Sequence, residues 1–223
     1  MTADLKAAEG KRRIFLVDDH PVLRDGLRIL LDAQPDLQVC GEAESAKKAP
    51  DRIAATNPEL AIVDISLEGP SGIELIKGLK ARFSALKILT LSMHDEALYA
   101  ERALRAGARG YVMKQAPTEQ LLIAIRQVLK GEIYLSKQVS GQLLGAFVSL
   151  KPAAGPTLKK LSDREFEIVR LIGKGFTTTE VAEKLGISGK TVETHRGNLR
   201  RKLNLKSGAE LTRFAMAYSD EKP

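Results

Sequence analysis

Four short stretches carry residues that could together manage a metal and a phosphoryl group: "LVDDH" (16–20), "IVDIS" (62–66), "LTLSM" (89–93) and "GYVMK" (110–114). They hold Asp18, Asp19, Asp64, Ser92 and Lys114. Carboxylates crowded together repel one another, so such a set asks for a cation. Hard oxygen ligands around an incompletely dehydrated ion suit Mg²⁺. A metal held there neutralises the acids and helps orient an incoming phosphoryl group, whose oxygens the Lys114 ammonium and the Ser92 hydroxyl can hold. A carboxylate can then act as nucleophile and form an acyl phosphate. Asp64 is favoured for that part because it lies centrally, which leaves the Asp18–Asp19 pair as metal ligands.

Any one aspartate at a strand end often merely caps the next helix. The set gains meaning only if the chain brings its members to one edge, and the surrounding pattern predicts that it does. "IFLV", "LQVCG", "LAIVD", "KILTLS" and "GYVM" are short runs rich in Ile, Leu and Val, as expected of strands buried on both faces. Helix-like segments near 21–33, 45–56, 71–82, 95–106 and 117–130 separate and follow them. This alternation predicts an α/β domain with a doubly wound five-stranded parallel sheet. Its crossovers are right-handed and its ligands gather at the carboxyl ends of the strands. Of the two histidines nearby, His20 is read as shaping the loop beside the acid pair. His94 has no evident base or metal partner.

After Lys130 the pattern changes. Residues 131–157 read as a linker, with an ambiguous helix near 137–149 and a flexible part around Pro152 to Pro156. From 158 to 223 the chain reads as four short helices without a strand. "SDRE" offers a capping box of Ser162 with Glu165, and "SGAE" at 207–210 repeats it.

Within that part, "GKT" at 189–191 imitates the end of a phosphate-binding loop. The loop needs a glycine five positions earlier and a preceding strand. Position 184 is Lys184, and "TTTEVAEKL" before it has a helical pattern. The alternative is a helix-turn-helix: "TTEVAEKLG" ends at Gly186, Ser188 caps a second helix over 189–203, and that helix enters the major groove. Val192, His195, Leu199 and Leu203 face the core. Lys190, Glu193, Thr194, Gly197, Arg200 and Arg201 form the other side. Thr191 and Arg196 sit near the helix N-terminus, where the dipole favours DNA phosphates. Glu193 could accept from a cytosine amino group. Gly197 in mid-helix costs about 1 kcal/mol against alanine. The last helix, 207–218, carries apolar Leu211, Phe214, Ala215 and Tyr218.

Composition agrees. The chain has 223 residues, 43% hydrophobic and 28% charged, enough for two modest domains. Its net charge is +7, of which +5 lies from Leu158 onward (14 Lys and Arg against 9 Asp and Glu), so the helical part is the basic one. No apolar run approaches the roughly 20 residues that span a bilayer, and no membrane partner is expected. The start does not read as a signal peptide. One cysteine, Cys40, rules out an intrachain disulfide, and a reducing cytoplasm fits best.

These motifs carry a resemblance over nearly the whole chain. "IFLVDDHPVLRDGL", "LAIVDISLEGPSGIEL", "LTLSMHDE" and "GARGYVMK" resemble the receiver domain of two-component response regulators over residues 12–130. "LSDREFEIVRLIGKGFTTTEVAEKLGISGKTVETHRGNLRRKLNL" resembles the LuxR-type DNA-binding domain of the NarL/FixJ family over 158–223. The resemblance implies strand order 2-1-3-4-5 and phosphorylation of Asp64 by a sensor histidine kinase. It implies Mg²⁺ held by Asp18, Asp19, Asp64 and the backbone carbonyl of Ser66. It also implies a switch in which Ser92 moves toward the acyl phosphate and Tyr111 turns inward. DNA contacts then fall to Lys190, Thr191, Glu193, Thr194, Arg196, Arg200 and Arg201. Part of the last helix's stripe must pack on its own domain, and the resemblance implies that the rest, from the dimer-helix residues Leu211, Phe214 and Tyr218, pairs two monomers when the protein is phosphorylated or DNA-bound; RNA polymerase is a further partner. The protein expected is a transcription regulator and not an enzyme. In its unphosphorylated form the receiver obstructs the recognition helix or disfavours dimerisation. One departure stands out: the proline usual four residues after the phosphorylated aspartate is Glu68 here.

Two rivals differ in class. A phosphatase of the haloacid-dehalogenase kind wants a second aspartate two residues after the nucleophile, where this chain has Ser66. A protein-interaction module in place of the DNA-binding half leaves the basic face of 189–203 without a task.

Overall fold

A computed structural model describes residues 10–67, 71–141 and 161–219, with no side-chain description at 218 and 219. Glu68, the latter part of the 137–149 segment, Pro152 to Pro156 and the Tyr218 side chain lie outside the described residues.

The first domain runs β1 (Arg12–Val17), α1 (Pro21–Asp32), β2 (Leu37–Ala43), α2 (Ala49–Thr56), β3 (Leu60–Val63), α3 (Gly72–Arg82), β4 (Lys87–Ser92), α4 (Glu96–Ala106), β5 (Gly110–Met113) and α5 (Thr118–Leu129). The strands form one parallel sheet in the order β2-β1-β3-β4-β5. Successive side chains of a strand point to opposite faces, and β1 feeds both layers of core. Phe15 and Val17 join Ile53, Ile76 and Tyr99 on one face. Ile14 and Leu16 join Leu31, Ile125 and Val128 on the other. Burial on both faces is why these runs read as continuous apolar stretches.

One element is shorter than expected. The segment near 45–56 begins as turns, and α2 starts only at Ala49. Pro50 has no N–H and disfavours helical backbone in the residue before it, so it fits only at a helix start. Beyond α5 the chain stays on the receiver. Tyr134 pairs with the edge strand at Gly110, its N–H donating to Arg109 O and its carbonyl accepting from Tyr111 N. Ser136 N donates to Glu96 Oε1, and Val139 is buried. Residues 137–141 form a helical turn.

The second domain has, among its described residues, α6 (Asp163–Gly173), α7 (Thr178–Leu185), α8 (Gly189–Lys202) and α9 (Gly208–Ser219). Ser162 and Glu165 close the expected capping box of α6, and Thr177 with Glu180 closes another for α7. At 207–210 only half the box forms: Ser207 Oγ accepts from Glu210 N, while Glu210 accepts from Lys206 N. Gly186, at φ 61°, ends α7 in the left-handed region that glycine tolerates, and Ser188 caps α8 by accepting from Thr191 N. Val181, Val192, Leu199, Leu211 and Ala215 are buried in its core.

The two domains meet through α6, which lies against α3 and α4. Asp163 bridges Lys77 and Arg102. Phe166 packs edge-on to Tyr99 at 5.1 Å, with the Arg102 guanidinium 4.2 Å above its ring. Arg170, at the far end of α6, rests on His94.

Candidate functional site

β1, β3, β4 and β5 deliver their C-terminal residues to one edge of the sheet. Asp18 follows β1 and Asp64 follows β3, both almost fully buried. Ligand atoms of Asp18, Asp19, His20 and Asp64 lie within 4.8 Å of one another. Lys114, one residue past β5, places Nζ 2.6 Å from Asp18 Oδ2 and 2.7 Å from Asp64 Oδ2. Burial raises the Asp64 carboxyl above its usual range, against the pull of Lys114 and the Ser66 N–H. Burial works against the Lys114 charge as well, but its hydrogen bonds to Asp18 and Asp64 prevail and hold it above the ordinary amine value. Three carboxylates against one ammonium leave two negative charges, the deficit a divalent cation cancels. The donors are carboxylate oxygens, which suit Mg²⁺. His20 turns its Nδ1 onto the acid pair, 3.1 Å from Asp18 Oδ1 and 2.7 Å from Asp19 Oδ1, and its backbone N–H donates to Asp18. It shapes this loop, as expected.

The loop after β3 is pinned from below. Gly72 N donates to Ile65 O, and Ser71 caps α3 by accepting from Glu74 N. A Cβ on Gly72 would sit 2.2 Å from the carbonyl oxygen of Asp64, so the start of α3 can approach this closely only as glycine. Ser66 N donates to Asp64 Oδ1 at 2.8 Å.

Ser92 and Tyr111 are both buried. Ser92 Oγ accepts from His94 N at 3.1 Å, and Tyr111 Oη donates to His94 O at 2.8 Å. Burial raises the Tyr111 phenol above its ordinary range, so it stays a donor. Tyr111 is turned inward in this structure. His94 is the residue sequence reading undervalued. Its ring stacks on Tyr99 at 4.8 Å, its Nε2 lies 3.0 Å from Ser66 Oγ, and Arg170 Nη1 contacts both ring nitrogens, Nδ1 at 2.8 Å and Nε2 as well. Burial, with Arg170, Lys174 and Lys114 near, pushes the imidazole down to about 3, so the ring is neutral and can accept from arginine. No local signal marks it, because Arg170 is 76 residues away.

In the second domain, α8 buries Val192 and Leu199 completely and Leu203 nearly so, with His195 half-buried. Lys190, Thr191, Glu193, Thr194, Arg200 and Arg201 are exposed together, and Arg196 is half-buried. Glu193 is not merely solvated: Oε1 accepts from Thr178 Oγ1 at 2.8 Å and lies 3.5 Å from Arg196 Nε. That ties the basic helix to α7. Gly197, Arg200, Arg201, Asn204 and Leu205 line an open cavity of about 510 Å³, and nothing lies within 4 Å of a Cβ placed on Gly197. Of the two roles expected of the receiver, obstructing this helix or disfavouring dimerisation, the first differs from the structure: the receiver holds α6 and leaves the outer side of α8 exposed. Of the expected pairing stripe on α9, Leu211 is corrected. Leu211 is fully buried in its own domain and Phe214 packs against the same core, so Leu211 serves the fold; Arg213 and Met216 are exposed.

Residues 14–126 match the response regulator receiver domain family, and residues 159–215 match the bacterial regulatory proteins of the luxR family. The chain belongs to the two-component response regulators of the NarL/FixJ type, DNA-binding transcription regulators rather than enzymes. It is similar to the oxygen regulatory protein NreC of Staphylococcus haemolyticus, 39% identical over 92% of this chain and 96% of that one. NreC of Staphylococcus aureus is 40% identical over the same shares. Among solved structures, RcsB of Salmonella enterica serovar Typhimurium, bound to promoter rprA in the presence of the phosphomimetic BeF₃⁻, is 27% identical. It superposes with a TM-score of 0.66 over 93% of this chain and 99% of that one. A LuxR-family response regulator from Aurantimonas is 34% identical, with a TM-score of 0.59 over 63% of this chain and all of that one. Among the described residues no helix is long and apolar enough to cross a membrane.

Proposed function

We propose that this regulator is switched by phosphorylation of Asp64, carried out by a sensor histidine kinase. The observation that carries the reading is the meeting of Asp18, Asp19, Asp64 and Lys114 at one sheet edge, in a chain whose other half exposes a basic recognition helix. An Asp64 carboxylate oxygen attacks the phosphorus of the kinase phosphohistidine. The P–N bond breaks, its electron pair returns to the histidine, and an acyl phosphate remains on Asp64. Lys114 holds phosphoryl oxygens by charge-assisted hydrogen bonds, and Ser92 turns its hydroxyl toward them. Asp18, Asp19, Asp64 and the backbone carbonyl of Ser66 hold Mg²⁺, which supplies the charge that lets a phosphoryl group approach three acids.

In the second domain Lys190, Thr191, Thr194, Arg196, Arg200 and Arg201 contact DNA, and Glu193 screens the sequences that α8 can read. Two copies pair on a two-fold site through the exposed remainder of α9, and the bound dimer acts on RNA polymerase in the cytoplasm. The RcsB complex with a promoter supports the DNA-binding part.

Intact mass after incubation with acetyl phosphate tests the first step, with and without Mg²⁺, for wild type and Asp64→Asn. A Mg²⁺-dependent phosphoryl adduct on wild type alone is the expected result. An adduct that persists in Asp64→Asn places the acceptor elsewhere.

A further inference from the structure

We propose that His94 is the positioning residue that couples the phosphorylation site to the DNA-binding domain, with Arg170 as its receptor on α6. The proposal rests on the Asp64 reading above and adds the path by which its state reaches the second domain.

Every part of His94 is engaged by one side or the other. Its N–H donates to Ser92 Oγ and its carbonyl accepts from Tyr111 Oη, so both expected switch residues hold its backbone. Its ring joins the loop after Asp64 through Ser66 Oγ and joins α4 by stacking on Tyr99. Arg170 of the second domain brings Nη1 against both ring nitrogens, Nδ1 and Nε2. Arginine only donates, so a ring nitrogen of the neutral imidazole is its acceptor.

Apart from the Tyr99 ring, 5.8 Å from its guanidinium carbon, Arg170 relies on this contact. Among the described residues no carboxylate lies within ion-pair distance of it, and its Nε is buried without a hydrogen-bond partner. A half-buried guanidinium whose acceptor is a neutral imidazole is a conditional latch, since loss of that acceptor leaves it only the face of Tyr99. Asp163 supplies the steady part of domain docking through Lys77 and Arg102. The Arg170 contact supplies the part that can change. When Ser92 Oγ and Ser66 turn toward a phosphoryl group on Asp64, His94 loses two of its bonds and no longer presents its ring to Arg170. Docking then weakens and the second domain is released with α8 already exposed.

The test uses the full chain. Small-angle scattering compares wild type, His94→Ala, Arg170→Ala, the double variant and His94→Asn, first without a phosphoryl donor. Each alanine variant is expected to shift the closed-to-open ratio about tenfold toward open, as for a lost charge-assisted hydrogen bond. The double variant shifts it no further than either single one. His94→Asn, whose amide oxygen can accept from Arg170 in place of the ring, stays closed; purely structural packing by His94 predicts no such rescue. Acetyl phosphate with Mg²⁺ is then added, and the adduct is read by mass on the same samples. Wild type is expected to open as the adduct forms. Closed alanine variants, additive shifts, or a phosphorylated wild type that stays closed each overturn the coupling. A wild type that takes no adduct marks the failure of the Asp64 reading instead, which the mass tells apart.

Discussion

The Lys114 ammonium lies 2.7 Å from the Asp64 carboxylate and is its only basic side-chain partner among the described residues. The same nitrogen also serves Asp18, so one cation stabilises two buried acids. Replacing Lys114 with methionine keeps the stem and removes the charge. It should cost about 3–5 kcal/mol, the scale of breaking a buried ion pair. Mg²⁺ should restore more stability to Lys114→Met than it adds to wild type, because it then has both acids to itself. Urea unfolding with and without Mg²⁺ measures both, and equal Mg²⁺ effects in the two proteins would count against a metal at these carboxylates.

Gly72→Ala is expected to damage the site without touching a charged group. The added methyl would lie 2.2 Å from Asp64 O and 2.5 Å from Ile65 Cα, so the loop or α3 must shift. A loss of about 1–3 kcal/mol is expected, typical of overpacking against backbone. Phosphoryl uptake from acetyl phosphate should slow in the protein that remains folded. Gly26, with nothing within 4 Å of its Cβ position, is the control: Gly26→Ala should leave uptake unchanged.

DNA binding through α8 implies a salt dependence. If about six phosphates are neutralised, log K should fall with log[salt] with a slope of roughly −5, and Lys190→Ala or Arg200→Ala should each reduce it by about one. Arg196→Ala should do less, because Arg196 is half-buried beside Glu193. Binding titrations at several salt concentrations give the slope directly. A slope near zero removes α8 as the DNA-binding helix.

Domain docking should weaken in acid. Burial raises the Asp163 carboxyl, but hydrogen bonds from Lys77 and Arg102 outweigh it and hold the group below its usual 3.8. A depressed carboxyl stabilises the docked form fully above the free value and progressively less as pH falls below it. Scattering should therefore find docking independent of this group from pH 5 to 8. Asp163→Asn should open the molecule at neutral pH, with a cost of about 2 kcal/mol for hydrogen bonds to a charged partner.

How much of this was legible in the sequence follows from how local each signal is. The strands announced themselves because both faces are buried, so "IFLV" and "LAIVD" needed no partner to be recognised. Asp18, Asp64 and Lys114 became a site once those strands were read as parallel, since topology alone brings their ends together. Ser188 and Gly186 marked the turn before α8 by cap chemistry that acts within a few residues. What failed to show depends on distant surfaces. Leu211 and Phe214 share an apolar stripe that reads the same for a core as for a dimer, and only the packing of α9 on α6 assigns Leu211 to the core. His94 looked idle because its partners Ser66, Tyr111 and Arg170 come from three other places in the chain. The start of α2 was misjudged because helical periodicity outweighed Pro50 in the reading.

Tyr134 occupies the outer edge of β5, where its backbone bonds Arg109 and Tyr111. An uncovered edge strand is a template on which foreign strands can add. The segment that carries the chain out of the receiver therefore also shields it from self-association. A receiver cut off after Lys130 would keep all five strands but bare that edge, and its solubility, more than its chemistry, would suffer.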